Sequence, residues 1–196
     1  INKTTRNILV KVLTLCGVET GENKDIIADS ILDWIDDDKN HRLNGAESEF
    51  YQGLTPPYLP KNAPIENLDE LIKIRGVDKN ILYGTDQHPG LNQFFTVYNV
   101  ERVNPNTSSL ETLSAAFSLT QAKMILKKRE KMGFYDSTKS NYFKVTSTGK
   151  IEGSATNHTI VAVMQKIQKK NGPIILTHYW NDNSFLNTYN PEQETN

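Results

Sequence analysis

Asp36-Asp37-Asp38-Lys39-Asn40-His41-Arg42-Leu43-Asn44-Gly45-Ala46-Glu47-Ser48-Glu49 is the stretch on which the reading of this chain turns. It follows an apolar run at helical spacing over residues 27–35, so it reads as an acidic loop at the end of a helix. Asp36, Asp38, Asn40, Asn44 and Glu47 stand at the first, third, fifth, ninth and twelfth positions of a calcium loop. Arg42 takes the seventh, where a backbone carbonyl serves. Five carboxylates (Asp36, Asp37, Asp38, Glu47, Glu49) against Lys39 and Arg42 leave the loop at a net charge of minus three. So much like charge in a compact loop is unfavourable unless a cation neutralises it. The sixth position, normally Gly, is His41, and the nearby Gly is Gly45. The same residues also read as a solvated acidic loop that binds nothing.

The 196 residues suffice for one sizeable domain or two small ones. With 22 basic against 23 acidic residues, no global field invites nucleic acid or an anionic membrane. The sequence has no apolar run of membrane-spanning length and no signal peptide, and it starts at Ile1, as a mature fragment would. The single cysteine, Cys16, shares the apolar face of a helix with Ile8, Leu9, Val12 and Leu13, and is expected to be a buried structural thiol.

Outward from the acidic loop, helices are expected over residues 5–17 and from Asn23 or Lys24 to the loop. Thr55-Pro56-Pro57-Tyr58-Leu59-Pro60 reads as an ordered extended segment. Asn67 caps a third helix over 68–74, a tight turn follows at Ile74-Arg75-Gly76-Val77, and a fourth helix begins at Lys79. Phe94-Phe95-Thr96-Val97-Tyr98 reads as a strand, and a helical pair follows over 109–116 and 120–131. Alternating segments around 142–152, 159–167 and 174–180 read as an antiparallel meander, joined at its edge by the Phe94 strand. The class is therefore α+β. The expected divisions are a helical domain over 1–92, a strand with a second helical module over 93–140, a sheet over 141–182 and a polar, frayed tail over 183–196.

The turn at Gly76 resembles a helix-hairpin-helix, so a nucleic-acid-binding protein is the alternative reading, helped by the basic cluster Lys123, Lys127, Lys128, Arg129 and Lys131. The DNA-binding form needs a second Gly where this chain has Asp78, whose charge repels a phosphate. Packing is the favoured role. A nucleophile elbow, a phosphate-cradling glycine loop and a paired-histidine zinc helix are all missing. His41, His88, His158 and His178 show no metal-ligand spacing. A metal-dependent hydrolase using the acidic cluster would need a magnesium or manganese preference, and nothing else argues for an enzyme.

Several residue blocks resemble, in order, the minor pseudopilin K family of type II secretion systems. They are Ala28-x-x-Ile31-Leu32-Asp33-Trp34-Ile35-Asp36-x-Asp38, Gly45-Ala46-Glu47, Tyr51, Pro56-Pro57-Tyr58, Asn62-Ala63-Pro64 and Leu71-x-x-Ile74-Arg75-Gly76. Val103-Asn104-Pro105-Asn106-Thr107, Tyr142-Phe143-x-Val145 and Tyr179-Trp180 support it. The resemblance implies a pilin-like antiparallel sheet with a large helical insertion (SAM-like or helix-hairpin-helix-like), its N-terminal transmembrane helix absent here. It implies a non-enzymatic, periplasmic assembly role at the pseudopilus tip with the minor pseudopilins I and J, contact with secreted substrates, no nucleic-acid role, and anchoring at the inner membrane. It also implies calcium in the helical domain, with Asp36, Asp38, Glu47 and Glu49 at the family's acidic positions; Asn40 and Asn44 rest on spacing alone. Phe117-Ser118-Leu119 departs from the family's usual Pro-Gly-Leu turn.

Overall fold

The computed structural model describes residues 1–19, 21–98, 100, 102–152 and 157–182. The chain divides into two compact units, Ile1–Thr138 and Lys139–Asn196.

The first unit is helical, and its elements start where side chains capture free backbone N–H groups. Helix α1 spans Arg6–Leu15, with the Thr5 side chain accepting from the Ile8 N–H. Helix α2 spans Glu22–Ile35 and ends at Asp36, whose backbone turns extended at the start of the acidic loop. A short α3, Ser48–Gln52, leaves that loop. The third expected helix is a 3-10 turn, Leu68–Lys73. There Asn67 and Glu70 form a reciprocal capping box that satisfies two otherwise orphaned N–H donors. Helix α4, Lys79–Tyr83, is capped by Asp78, whose carboxylate accepts from the Ile81 N–H. The acid that argues against phosphate binding thus serves as a cap. Gly76 carries the turn at φ +84, and a β-carbon there would stand 2.7 Å from Ile27 Cγ1.

Leu9, Val12 and Leu13 of α1 bury against Ile27, Ala28, Ile31 and Trp34 of α2, with Tyr51, Ile65, Leu71, Ile74, Leu82 and Leu91 closing the core. Cys16 lies in this core, as its apolar neighbours require. Trp34 and Tyr51 meet edge to face at 5.2 Å, and Tyr58 joins them, so the Pro-Pro-Tyr segment is ordered by an aromatic cluster. Helices α5, Leu110–Ala116, and α6, Leu119–Met132, form a hairpin around Leu113, Ala122 and Ile125. The Phe117-Ser118-Leu119 turn works without Gly because the Ser118 hydroxyl caps α6 at the Gln121 N–H. Two of the basic residues of α6 are structural. Arg129 donates to the carbonyls of Pro105 and Ser108, and Lys128 sits over the Tyr135 ring.

The expected strand at Phe94–Tyr98 is corrected. A 3-10 turn, Leu91–Gln93, leads into this segment, and Phe94, Phe95 and Val97 pack on the helical core. Strand preference in aromatic and β-branched residues expresses their fit to a half-buried surface, and here a helix-lined surface supplies it.

The second unit is the meander itself, three antiparallel strands in the order β1-β2-β3. Strand β1 is Tyr142–Lys150, β2 Asn157–Lys169 and β3 Gly172–Asp182. Tyr142 opposes Gln165 and Lys150 opposes Asn157. A bulge at Val163/Met164 shifts the β2–β3 register. By this register Phe143, Val145, Ala162, Met164 and Trp180 share a face, on which Ala162 is buried and Trp180 is exposed. The tail over 183–196, expected to fray, lies outside the described residues. Among the described residues no helix is long and apolar enough to cross a membrane.

Candidate cation site on the acidic loop

Helix α2 positions the first acids of the site. Asp33 faces inward from its last turn and is fully buried, and Asp36 follows at the cap. The chain then doubles back. The Arg42 backbone N–H donates to both Asp33 oxygens, and its guanidinium Nη1 bridges Asp33 Oδ1 and Asp36 Oδ2 at 2.5 Å each. Burial works against the Arg42 charge, but its bonds to Asp36 and Asp33 outweigh it and hold the pKa above its ordinary value. This return is possible because residue 45 is Gly: Asp33 lies where its β-carbon would be.

Glu47 closes the loop ahead of α3, only 6% exposed. Its carboxylate oxygens make no hydrogen bond of good geometry, the Asn62 side chain and the Ser48 N–H being the donors that stand near them, and Asp36 Oδ1 and Asn62 Oδ1 are likewise buried without a partner. Burial, and then the charges of Asp33 and Asp36, push the Glu47 carboxyl above its usual range, while the neighbouring Asn62 side chain acts the other way. Three carboxylates (Asp33, Asp36, Glu47) against the one guanidinium of Arg42 leave two negative charges, the charge that one divalent cation neutralises. The unsatisfied atoms of Asp36, Glu47 and Asn62 are oxygens, the donor type of a hard cation such as calcium. Among the described residues no three His, Cys, Asp or Glu side chains group in metal-binding geometry.

Of the residues expected as ligands from the sequence, Asp36 and Glu47 come within electrostatic reach of one another. Asp38 is exposed. Its side chain accepts from the Asn40 N–H in a local turn, and its carbonyl accepts from Asn62 Nδ2 at 2.6 Å. Asn40 is exposed. The Arg42 carbonyl accepts from the Gly45 N–H, and its guanidinium rather than its carbonyl sits among the acids. Asn44 points to Asp29 on α2, 3.2 Å away. Glu49 lies exposed on the first turn of α3. Asp33 and Asn62, which the sequence reading did not include, also stand beside Asp36 and Glu47. Asp33 lies three residues before Asp36 on the same helix, a spacing that could have found it; no spacing points to Asn62.

Residues 1–84 match the family model described as type II secretion system (T2SS), protein K. The chain is similar to type II secretion system protein K of Klebsiella pneumoniae, 30% identical over 108 residues, covering 54% of this chain and 33% of the relative. A putative type II secretion system protein K of Escherichia coli strain K12 is 41% identical over 70 residues, 36% of this chain and 21% of that one. The protein of Pectobacterium carotovorum subsp. carotovorum is 30% identical over 127 residues, 60% and 37% of the two lengths. The chain thus spans about a third of the length of the curated relatives it matches. A chain in the crystal structure of the GspK-GspI-GspJ complex of the enterotoxigenic Escherichia coli type 2 secretion system shares the fold. The TM-score is 0.60 at 14% identity, over 93% of this chain and 71% of that one. The part that matches the type II secretion system protein K model by sequence is the helical unit that carries the acidic loop, and the shared fold extends the likeness across the sheet.

Proposed function

We propose that this chain is the periplasmic part of a minor pseudopilin that sits at the tip of a type II secretion pseudopilus and is stabilised by calcium at the acidic loop. Its work is structural: it assembles with the minor pseudopilins I and J, helps start the pseudopilus and engages secreted proteins, and an N-terminal helix outside this sequence anchors it in the inner membrane. The family match over the helical unit supports the assembly role, and the fold shared with a chain of a GspK-GspI-GspJ complex supports the choice of partners. The observation that carries the calcium reading is the group of buried oxygens without a hydrogen bond of good geometry on Asp36, Glu47 and Asn62, around a net charge of minus two.

The cation's role here is to hold the end of α2 to the start of α3, and its binding energy adds to folding stability. The gain is about 2.7 kcal/mol when free calcium stands a hundredfold above its dissociation constant. Two measurements test the reading. Mixed with the soluble parts of its own system's I and J proteins, the chain should run as a ternary complex in size-exclusion chromatography with light scattering; separate elution at micromolar concentrations contradicts the assembly role. Thermal unfolding in EDTA, then millimolar calcium, then magnesium should show a rise of about 5 °C or more with calcium alone. A flat response contradicts the cation, and a magnesium-selective one revives the hydrolase reading.

A further inference from the structure

We infer that the outward face of α6 docks on an anionic phospholipid surface, its lysines meeting the headgroups while two exposed apolar side chains enter the lipid beneath them. The inference rests neither on the cation site nor on assembly with the I and J proteins.

Helix α6 turns one side to α5. Ala122 and Ile125 are buried there, Leu126 packs beside them, and Arg129 donates to the carbonyls of Pro105 and Ser108. Leu119, Lys123, Lys127 and Lys131 stand four residues apart, so they form one stripe on the side turned away from α5, with Met124 beside it. The three lysines are exposed, and Leu119 and Met124 are 54% and 59% exposed. No side-chain hydrogen bond or ion pair joins these lysines to another described residue; the salt bridges among the described residues lie at Arg6, Arg42 and Lys61.

The ordinary reasons for a basic stripe do not cover this one. Basic side chains in a last turn complement the helix dipole, which accounts for Lys131 alone of the three. Glutamates four residues ahead of lysines support an exposed helix, but here those positions hold Leu119, Lys123 and Lys127, and lysines so spaced repel one another. Glu130, the single acid of the helix, makes no salt bridge to them. An anionic lipid surface answers the lysine charge and admits the apolar side chains to the acyl boundary.

The residue types favour lipid over an acidic protein. Protein interfaces are enriched in Arg and depleted in Lys, and the planar fork of Arg suits carboxylates. Here the one Arg of the helix is turned inward and the exposed cations are lysines, compact charges on flexible stems that follow the diffuse charge of a headgroup layer. Helical rise spreads Lys123 to Lys131 over about 12 Å, a straight row that a flat surface reaches along its length.

Co-sedimentation of the full chain with lipid vesicles tests the inference. The chain should bind vesicles of equal parts phosphatidylglycerol and phosphatidylcholine, and not vesicles of phosphatidylcholine alone. Lys123→Gln, Lys127→Gln and Lys131→Gln together keep good helix formers and should weaken binding about a hundredfold, at about fivefold for each lysine. Leu119→Gln with Met124→Gln keeps the charge and should weaken it about tenfold. Unchanged binding by the triple lysine variant, or no binding of the unchanged chain to the anionic vesicles, overturns the inference. Unchanged binding by the Leu119 and Met124 pair overturns their entry into the lipid. Binding to poly-glutamate with none to the anionic vesicles overturns the lipid and assigns the face to an acidic protein. If circular dichroism shows the triple variant unfolded, Lys127→Glu decides: a loss of about fivefold or more supports the docking, and an unchanged affinity refutes it.

Discussion

The carboxylate of Asp33 lies against the α-carbon of Gly45, so closely that a β-carbon there would overlap Asp33 Oδ2 and stand 2.7 Å from Asp33 Cγ. Both neighbours are buried, and Asp33 is held by three hydrogen bonds from Arg42, so neither side can yield. Gly45→Ala should therefore destabilise the helical unit by about 2–3 kcal/mol, the range for forcing an extra carbon into a packed site. Urea unfolding followed by Trp34 fluorescence reads this out, and a change under about 0.5 kcal/mol would show the contact to be soft.

Among the described residues Arg42 is the only hydrogen-bond partner of the fully buried Asp33 side chain. Removing the guanidinium leaves a carboxylate in the interior without a counter-charge, which costs about 3 kcal/mol or more. Arg42→Met should show this loss, and Arg42→Met combined with Asp33→Asn should recover part of it, because a neutral amide can keep the backbone N–H bond. A double variant no more stable than Arg42→Met would argue against the ion pair as the cause.

Glu70 gives the helical unit an acid-sensitive cap. Burial alone would raise its pKa, but the bonds from Lys61 and from the backbone N–H groups of Glu66 and Asn67 outweigh it and lower the value below the ordinary 4.5. A carboxylate with a depressed folded-state pKa contributes stability above its unfolded pKa and loses it as pH falls through the folded one. Stability should thus decline below about pH 4.5, and Glu70→Gln should be less stable at neutral pH with a shallower decline in acid. Parallel curves for the two proteins would remove the cap from the account.

Burial pushes the Cys16 thiol up to about 12, so almost none of it is thiolate at neutral pH. Labelling with iodoacetamide at pH 8 should therefore be slow in the native chain and rapid in denaturant. Prompt native labelling would mean that the turn between α1 and α2 opens readily.

The sequence by itself determined what neighbours along the chain decide. Thr5, Asn67, Asp78, Ser109 and Ser118 stand where a side chain can reach an N–H two or three residues on, and each does so. The meander was legible for the same reason, because its alternation and turns are local signals. Tertiary structure alone decided where the acids go. Loop spacing placed Asn40 and Asn44 beside Asp36, and the family resemblance placed Glu49 there, whereas the folded loop, hung on Asp33 by Arg42, turns Asn44 to Asp29, exposes Asn40 and Glu49, and brings Asn62 to the Asp38 carbonyl. Likewise the apolar run at Phe94 became a cover for the helical core rather than a strand. In both cases the outcome depends on which distant surface is available to bury a charge or a ring, and that is known only once the chain has folded.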